Sequence, residues 1–302
     1  MFTHILVPLD GSALSEAALP AAAFLAEKLA ARVTLIHVIE RHAPSQVHGQ
    51  SHLRTADDAT VYLTRIAHDA FQPGTPVVFH VHTTGVDHVA ESIVAHEEEI
   101  GTDLVVMCSH GRGKALHLML GSIAQQVIAR GACPVLLIRP DTQITAPHAF
   151  TCNNILLPLD GTVEHEQAVP LAIDLARSCG AALHFVMVIP GFSRISGGTA
   201  VNSRTLPGTT ARMLQMASQD AEQYLREQTG RMLTAGIAAS GHVLSGDPAH
   251  MIVKAADAAD MDVIVLATHG RSGMNAFWAG SVTNTICSLS ATPLLLVPIQ
   301  KT

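Results

Sequence analysis

The sequence predicts an α/β protein in which one doubly wound parallel-sheet domain is used twice, and three observations carry that expectation. The first is length, since 302 residues correspond to about two domains at roughly 150 residues each. The second is an internal repeat. His4-Ile5-Leu6-Val7-Pro8-Leu9-Asp10-Gly11-Ser12 returns as Asn154-Ile155-Leu156-Leu157-Pro158-Leu159-Asp160-Gly161-Thr162. Asp103-Leu104-Val105-Val106-Met107-Cys108-Ser109-His110-Gly111 returns as Asp262-Val263-Ile264-Val265-Leu266-Ala267-Thr268-His269-Gly270, and Cys133-Pro134-Val135-Leu136-Leu137-Ile138 as Thr292-Pro293-Leu294-Leu295-Leu296-Val297. Three blocks in one order mean a duplicated domain carrying loop insertions, and the period is too long for a solenoid. The third observation is that short, nearly continuous apolar runs alternate with longer helical patterns, as in parallel strands joined by right-handed helical crossovers.

Taken in chain order, the first half should hold strands over His4–Leu9, Val33–Ile39, Val77–Thr83, Leu104–Cys108 and Val135–Arg139. Each run is nearly continuous in apolar character instead of alternating, which marks a strand buried on both faces. Between them Ser15–Ala31 is rich in Ala and Leu with no interior Gly, so it reads as a helix that Pro20 kinks or begins. Asp87–Glu99 and Ser122–Ala129 read as later helices. The join lies near Arg139 to Asn153, where Pro140, Asp141, Thr142 and Pro147 interrupt the apolar pattern. Domains over 1–142 and 151–302 follow.

Composition excludes several classes of function. Hydrophobic residues make up 48% and charged residues 14%, yet the longest apolar candidate, Ala17 to Ala26, stops at Glu27, well short of the 18 or so residues of a membrane span. The start Met1-Phe2-Thr3-His4 carries no basic signal region. Five cysteines without a C-x-x-C pair indicate neither a disulfide framework nor a zinc ribbon, and a cytoplasmic, reducing location is expected. A net charge of −7 argues against nucleic acid, whose backbone demands clustered Lys and Arg.

In an open parallel sheet, ligands collect outside the carboxyl ends of the strands where strand order reverses. Strand one ends there at Asp10-Gly11-Ser12 and strand four at Cys108-Ser109-His110-Gly111, with Asp160-Gly161-Thr162 and Ala267-Thr268-His269-Gly270 as the second set. A nine-residue loop then reaches Gly121-Ser122 or Gly280-Ser281 at a helix start. Free amides, the positive dipole end and a hydroxyl together favour phosphate, and Gly111 and Gly270 let the backbone approach closely. The alternative is that the glycines serve tight turns and Ser122 and Ser281 are N-caps. No P-loop occurs, and no G-x-G-x-x-G follows the first strand.

This ordered set of motifs resembles the universal stress protein family, here as a tandem pair covering nearly the whole chain. The resemblance implies two Rossmann-like, adenine nucleotide alpha hydrolase-like five-stranded sheets with strand order 3-2-1-4-5. In one subclass it also implies ATP or AMP binding through G-x-x-G-x(9)-G-[ST]. Carried over by residue, the second Gly is Gly111 and the last pair Gly121-Ser122, with Cys108 at the first position. In the second half they are Gly270 and Gly280-Ser281, with Ala267 at the first position. Gly280-Ser281-Val282-Thr283 is nearer the binding subclass than Gly121-Ser122-Ile123-Ala124, which points to the C-terminal half as the binder. By the same resemblance Asp10 and Asp160 face the adenosine and Val38 and Val188 border the base; Mg2+, where ATP is cleaved, is expected to be held mainly by the phosphates. An Asx turn accounts for the aspartates without a ligand, and His110 and His269 either touch the ligand or brace their loop.

Of 18 histidines, 13 fall at or before His148. His80-Val81-His82 puts two imidazoles on one strand face, and His42, His48 and His52 cluster after strand two. Metal binding needs three or four converging ligands; no converging set is legible, so no metal site is expected and the histidines read as surface or packing residues. No nucleophile or general base stands out, so catalysis is limited at most to slow ATP hydrolysis. Pro190–Thr210, with Arg194 and Arg204, reads as a lid over the crevice or as a loop without a role. By the same resemblance the last apolar strands lie at sheet edges, which invite pairing, and the family's dimerisation through this region implies that the two halves pair there as an internal pseudo-dimer, with a homodimer of two such chains as a further expectation. The expected function is nucleotide-dependent conformational response under stress. A nucleotide-free stress scaffold is the alternative, and a carrier using the first-half histidines for metal or a small molecule is a third reading.

Overall fold

The computed structural model describes residues 1–47, 50–109, 120–140, 149–189, 207–269 and 282–299. They fall into two compact units: one takes the described residues of 1–151, 268–279 and 293–302, the other those of 152–267 and 280–292.

The first unit runs β1 (His4–Pro8), α1 (Ala13–Glu16), α2 (Leu19–Leu29), β2 (Arg32–Glu40), β3 (Gln46–Val47), β4 (Gln50–Ser51) and α3 (Ala56–Ala70). It continues with β5 (Val77–Val86), α4 (Val89–Ile100), β6 (Leu104–Cys108), α5 (Ser122–Arg130) and β7 (Val135–Ile138). Its main sheet has the order β5-β2-β1-β6-β7, all parallel. β12 (Leu294–Ile299) pairs antiparallel with β7 in the register Leu294↔Leu137, Leu295↔Leu136, Leu296↔Val135. Ile5, Leu6, Leu35, Leu104 and Val105 in this sheet are closed to solvent, as strands covered on both faces require.

The second unit holds β8 (Asn154–Pro158), α6 (Val163–Glu166), α7 (Val169–Cys179), β9 (Ala182–Ile189) and α8 (Pro207–Thr234). β10 (Ala239–Ser245), α9 (Pro248–Ala258), β11 (Val263–His269) and α10 (Val282–Leu289) follow. Its parallel strands have the order β10-β9-β8-β11.

The expected helix Ser15–Ala31 is two helices. Ser12 caps α1 by accepting from the Ser15 amide at 3.2 Å, and Pro20 sits in the first turn of α2, where its missing N–H costs nothing. β5 also departs from a doubly buried strand: as the outermost strand of its sheet it leaves Val78 and Phe79 exposed. α3 was not expected; Thr55 caps it, accepting from the Asp58 amide. An acidic staple recurs in both units. Asp103 accepts from the amides of Thr3 (2.8 Å) and His4 (2.9 Å), and Asp262 from those of Asn153 (2.7 Å) and Asn154 (2.9 Å), so the opening strand of each copy is pinned to its fourth.

Candidate functional site

In the first unit the carboxyl ends of β1, β2 and β6 and the start of α5 enclose a cleft with about 730 Å³ of free space, part of it open to solvent. Its bed is apolar: Ile36, Val38 and Met107 come from the strands, Leu9 follows β1, and Val89 and Ile93 come from α4. Asp10 and Glu40 bring carboxylates to it, and Gly121, Ile123 and Ala124 bring the first turn of α5. Gly121 occupies the N-cap position without any side-chain cap, so the positive end of the helix dipole reaches the cleft with uncapped amides. Ser122, offered above as a cap, is instead the first helical residue and is exposed.

Asp10 forms the Asx turn that the Asp-Gly-Ser sequence allows. Its Oδ1 accepts from the Ser12 amide at 2.9 Å and the Ser12 hydroxyl at 2.6 Å. Its Oδ2 makes no hydrogen bond among the described residues. Gly11 follows at φ +86°, and a Cβ there would lie 2.8 Å from Leu53 Cγ, so both the backbone and the packing require glycine.

The segment after β2 is tied down beside the cleft. His37 is buried, with Nδ1 2.8 Å from the Leu9 carbonyl and Nε2 3.1 Å from the Leu53 carbonyl. His52 is buried as well, its Nε2 3.7 Å from Glu40 Oε1. Gln50, from the β3–β4 hairpin, accepts from the Ala13 amide at 2.6 Å and so occupies one of the free amides of α1. None of His37, Gln50 or Met107 was singled out in the sequence as a site residue. The position equivalent to His37 in the second copy is Met187, so the repeat offered no signal for it.

Of the first-half residues expected at a ligand, the structure brings Asp10, Val38, Cys108 and Gly121 together in this cleft. His110 and Gly111 lie outside the described residues. In the second unit Asp160 repeats the Asx turn through Thr162, but its Oδ2 also lies 2.7 Å from His165 Nδ1. Burial opposes the shift, yet the Thr162 bonds and His165 hold the Asp160 carboxyl below the usual carboxylate range. Val188 is half-buried near the end of β9, Ala267 half-buried in β11, and Val282 and Thr283 open α10. Gly270, Gly280 and Ser281 lie outside the described residues, as do the side chain of His269 and most of the expected lid (190–206). The remainder of that lid, from Pro207, opens α8. No helix among the described residues is long and apolar enough to cross a membrane.

Comparison with known proteins places the chain in context. A model of the universal stress protein family matches residues 1–139 and again 151–298. Universal stress protein Rv2005c of Mycobacterium tuberculosis is 26% identical over 196 residues, 64% of this chain; the match spans 61% of that relative's own length. Universal stress protein Rv2623 of the same species is 25% identical over 308 residues, 97% of this chain and 95% of the relative. A universal stress protein structure from Archaeoglobus fulgidus superposes with a TM-score of 0.63 at 16% identity, covering 99% of this chain and 97% of the other. A functionally unknown protein, PA1789 of Pseudomonas aeruginosa, superposes with a TM-score of 0.68 at 18% identity, covering 99% and 93%.

Proposed function

The chain belongs to the universal stress protein family, and from that premise we propose that it binds an adenine nucleotide, ATP or AMP, and answers stress by a ligand-dependent change of conformation. The cleft of the first unit is the observation that carries the reading. Its apolar bed suits a base, the Asp10 carboxylate has an oxygen to accept from a ribose hydroxyl, and the uncapped start of α5 suits a phosphate. The glycine at the helix start removes the Cβ that a phosphate would otherwise meet. Mg2+ would arrive with the phosphates.

The second half enters the proposal through its motif Gly280-Ser281-Val282-Thr283. There Asp160 offers its Oδ2 only after His165 gives way, whereas Asp10 needs no such rearrangement. This contrast favours the first unit as a binder alongside the second. The two sequence domains, 1–142 and 151–302, are proposed to pair within one chain, supported by β12 lying beside β7, with homodimerisation of such chains and a cytoplasmic location completing the reading.

Equilibrium dialysis of the purified chain against labelled ATP with magnesium tests it. Saturable binding at micromolar to millimolar nucleotide is expected. No binding at millimolar nucleotide overturns it and leaves the nucleotide-free scaffold.

A further inference from the structure

Away from the cleft, three histidines converge from β5, the outermost strand of the first unit, and from α4, the helix that follows it. His80 and His82 stand two residues apart on β5 and therefore share a face of the strand. α4 brings His96 to them, with ring centroids 4.6 Å from His80 and 5.1 Å from His82. One ring nitrogen of each lies within 4.8 Å of one ring nitrogen of the other two. The sequence showed only the pair; the third member comes from α4, whose His96 ring reaches across to β5.

The hydrogen bonds say which nitrogens are available. His96 is buried, and its Nδ1 lies 2.6 Å from the Ser92 carbonyl. A carbonyl only accepts, so Nδ1 carries the proton and Nε2 of the neutral ring presents a lone pair. That Nε2 faces His80 Nε2 at 2.9 Å. A carbonyl holding the distal N–H is the arrangement by which proteins fix the tautomer and the orientation of a metal-binding imidazole. Two nitrogens bound to one tetrahedral zinc at ~2.05 Å stand about 3.3 Å apart, so the His80–His96 pair needs to open by less than half an ångström. A carboxylate is at hand as well: Glu99 Oε2, on the exposed side, lies 3.7 Å from His96 Nε2.

We propose that His80, His82 and His96 form a site for a borderline transition-metal dication, zinc above all, with Glu99 the nearest group for the fourth position. Imidazole nitrogens select zinc, cobalt, nickel or copper over magnesium and calcium, which take oxygen. The site is independent of the nucleotide cleft and of the reading given for it. Its physical effect is to clip β5 to α4. An edge strand hydrogen-bonded along one side to β2 gains a covalent-strength tie to α4, and metal that binds the folded chain alone raises its stability.

The test uses the full chain, free of any histidine tag and stripped with a chelator, titrated with zinc chloride and separately with cobalt chloride. One zinc per chain should bind at micromolar or lower concentration, the melting temperature should rise by several degrees, and cobalt should give the intense visible bands of tetrahedral coordination. His82→Gln, at a half-buried position, should keep the metal-free melting temperature and weaken zinc binding at least tenfold. His68→Gln, at an exposed histidine elsewhere on the unit, should leave binding unchanged. Absence of stoichiometric zinc, or equal binding by the His82→Gln variant and the parent chain, overturns the proposal.

Discussion

His4 and Thr34 meet across the β1–β2 pair, with His4 Nε2 2.7 Å from the Thr34 hydroxyl. The second copy builds the same bridge with the histidine moved to the other strand: His184 Nε2 lies 3.3 Å from Asn154 Oδ1. Each histidine thus meets a neutral polar partner at Nε2 across a pair of strands, His4 buried and His184 half-buried.

Acid should destabilise the protein through these two rings. Burial, then the nearby Arg32 charge, pushes the His4 pKa below its usual value; burial, then His242, does the same to His184. The unfolded chain titrates near 6.5, so between that value and the lower folded ones the unfolded state holds more protons. Stability then falls as pH drops below about 7 and the loss levels off beneath the folded pKa values. Melting temperatures from pH 7.5 to 5, in the presence of chelator, should decline, and His4→Asn, which copies the second half, should flatten the slope. An unchanged slope in that variant removes His4 from the account.

Asp103 and Asp262 should each be expensive to lose. Removing either carboxylate strands two amides at the start of a central strand, and Asp103→Ala or Asp262→Ala should cost about 1–3 kcal/mol. Urea denaturation reads this directly; a change under ~0.5 kcal/mol contradicts it.

Gly131→Ala should destabilise although the glycine has ordinary backbone angles. A Cβ would sit 2.7 Å from the Val127 carbonyl oxygen and 2.8 Å from Glu97 Oε1, and Glu97 is a buried carboxylate bonded to the Ala132 amide at 3.2 Å. About 1–3 kcal/mol is expected from the overpacking, measurable as a lowered denaturant midpoint.

Ala30→Gly should stabilise. Ala30 closes α2 in the left-handed region at φ +51°, where the second copy has Gly180 at φ +70°. Relief of the Cβ strain, worth ~1–2 kcal/mol, exceeds the entropy gained by the unfolded chain, ~0.4–1 kcal/mol. A lower melting temperature in the variant contradicts this.

Nucleotide affinity should respond to Gly121 and Gly280 separately. Gly121→Val places a side chain at the cleft end of α5, and Gly280→Val alters the matching sequence motif of the second half. Each should abolish binding in its own half while far-UV dichroism stays unchanged. Asp10→Ala should weaken binding about tenfold, the worth of one charge-assisted hydrogen bond. Unchanged stoichiometry in both glycine variants means the phosphate site is elsewhere.

The five main strands of the first half were legible because each carries its own evidence, a short apolar run that needs no partner to be recognised, whereas the β3–β4 pair, Gln46–Val47 with Gln50–Ser51, carries no such run and was not expected. The break between α1 and α2 was only half legible: Pro20 announced a helix start, but the stop before it is set by the turn at Ala17 and Ala18. α3 was legible in principle, from the Thr55 and Asp58 cap followed by apolar residues at Tyr62, Leu63 and Ile66, although no helix was expected there. At the candidate site Asp10 and Gly121 announced themselves by motif. His37 did not, since its partners are backbone carbonyls of Leu9 and Leu53, supplied by chain 28 and 16 residues away. His96 was equally silent, because its meaning depends on a strand that only the crossover brings to it.

The pairing of β12 with β7 has a consequence for synthesis on the ribosome. Leu137 emerges well before its partner Leu294, an interval of roughly 10–30 s at ordinary translation rates. Through that time Val135–Ile138, a run of consecutive apolar residues, present an unfilled border open to pairing with any passing strand. The chain thus has a window of vulnerability to misassembly written into its connectivity, and slowing translation late in the message would widen it.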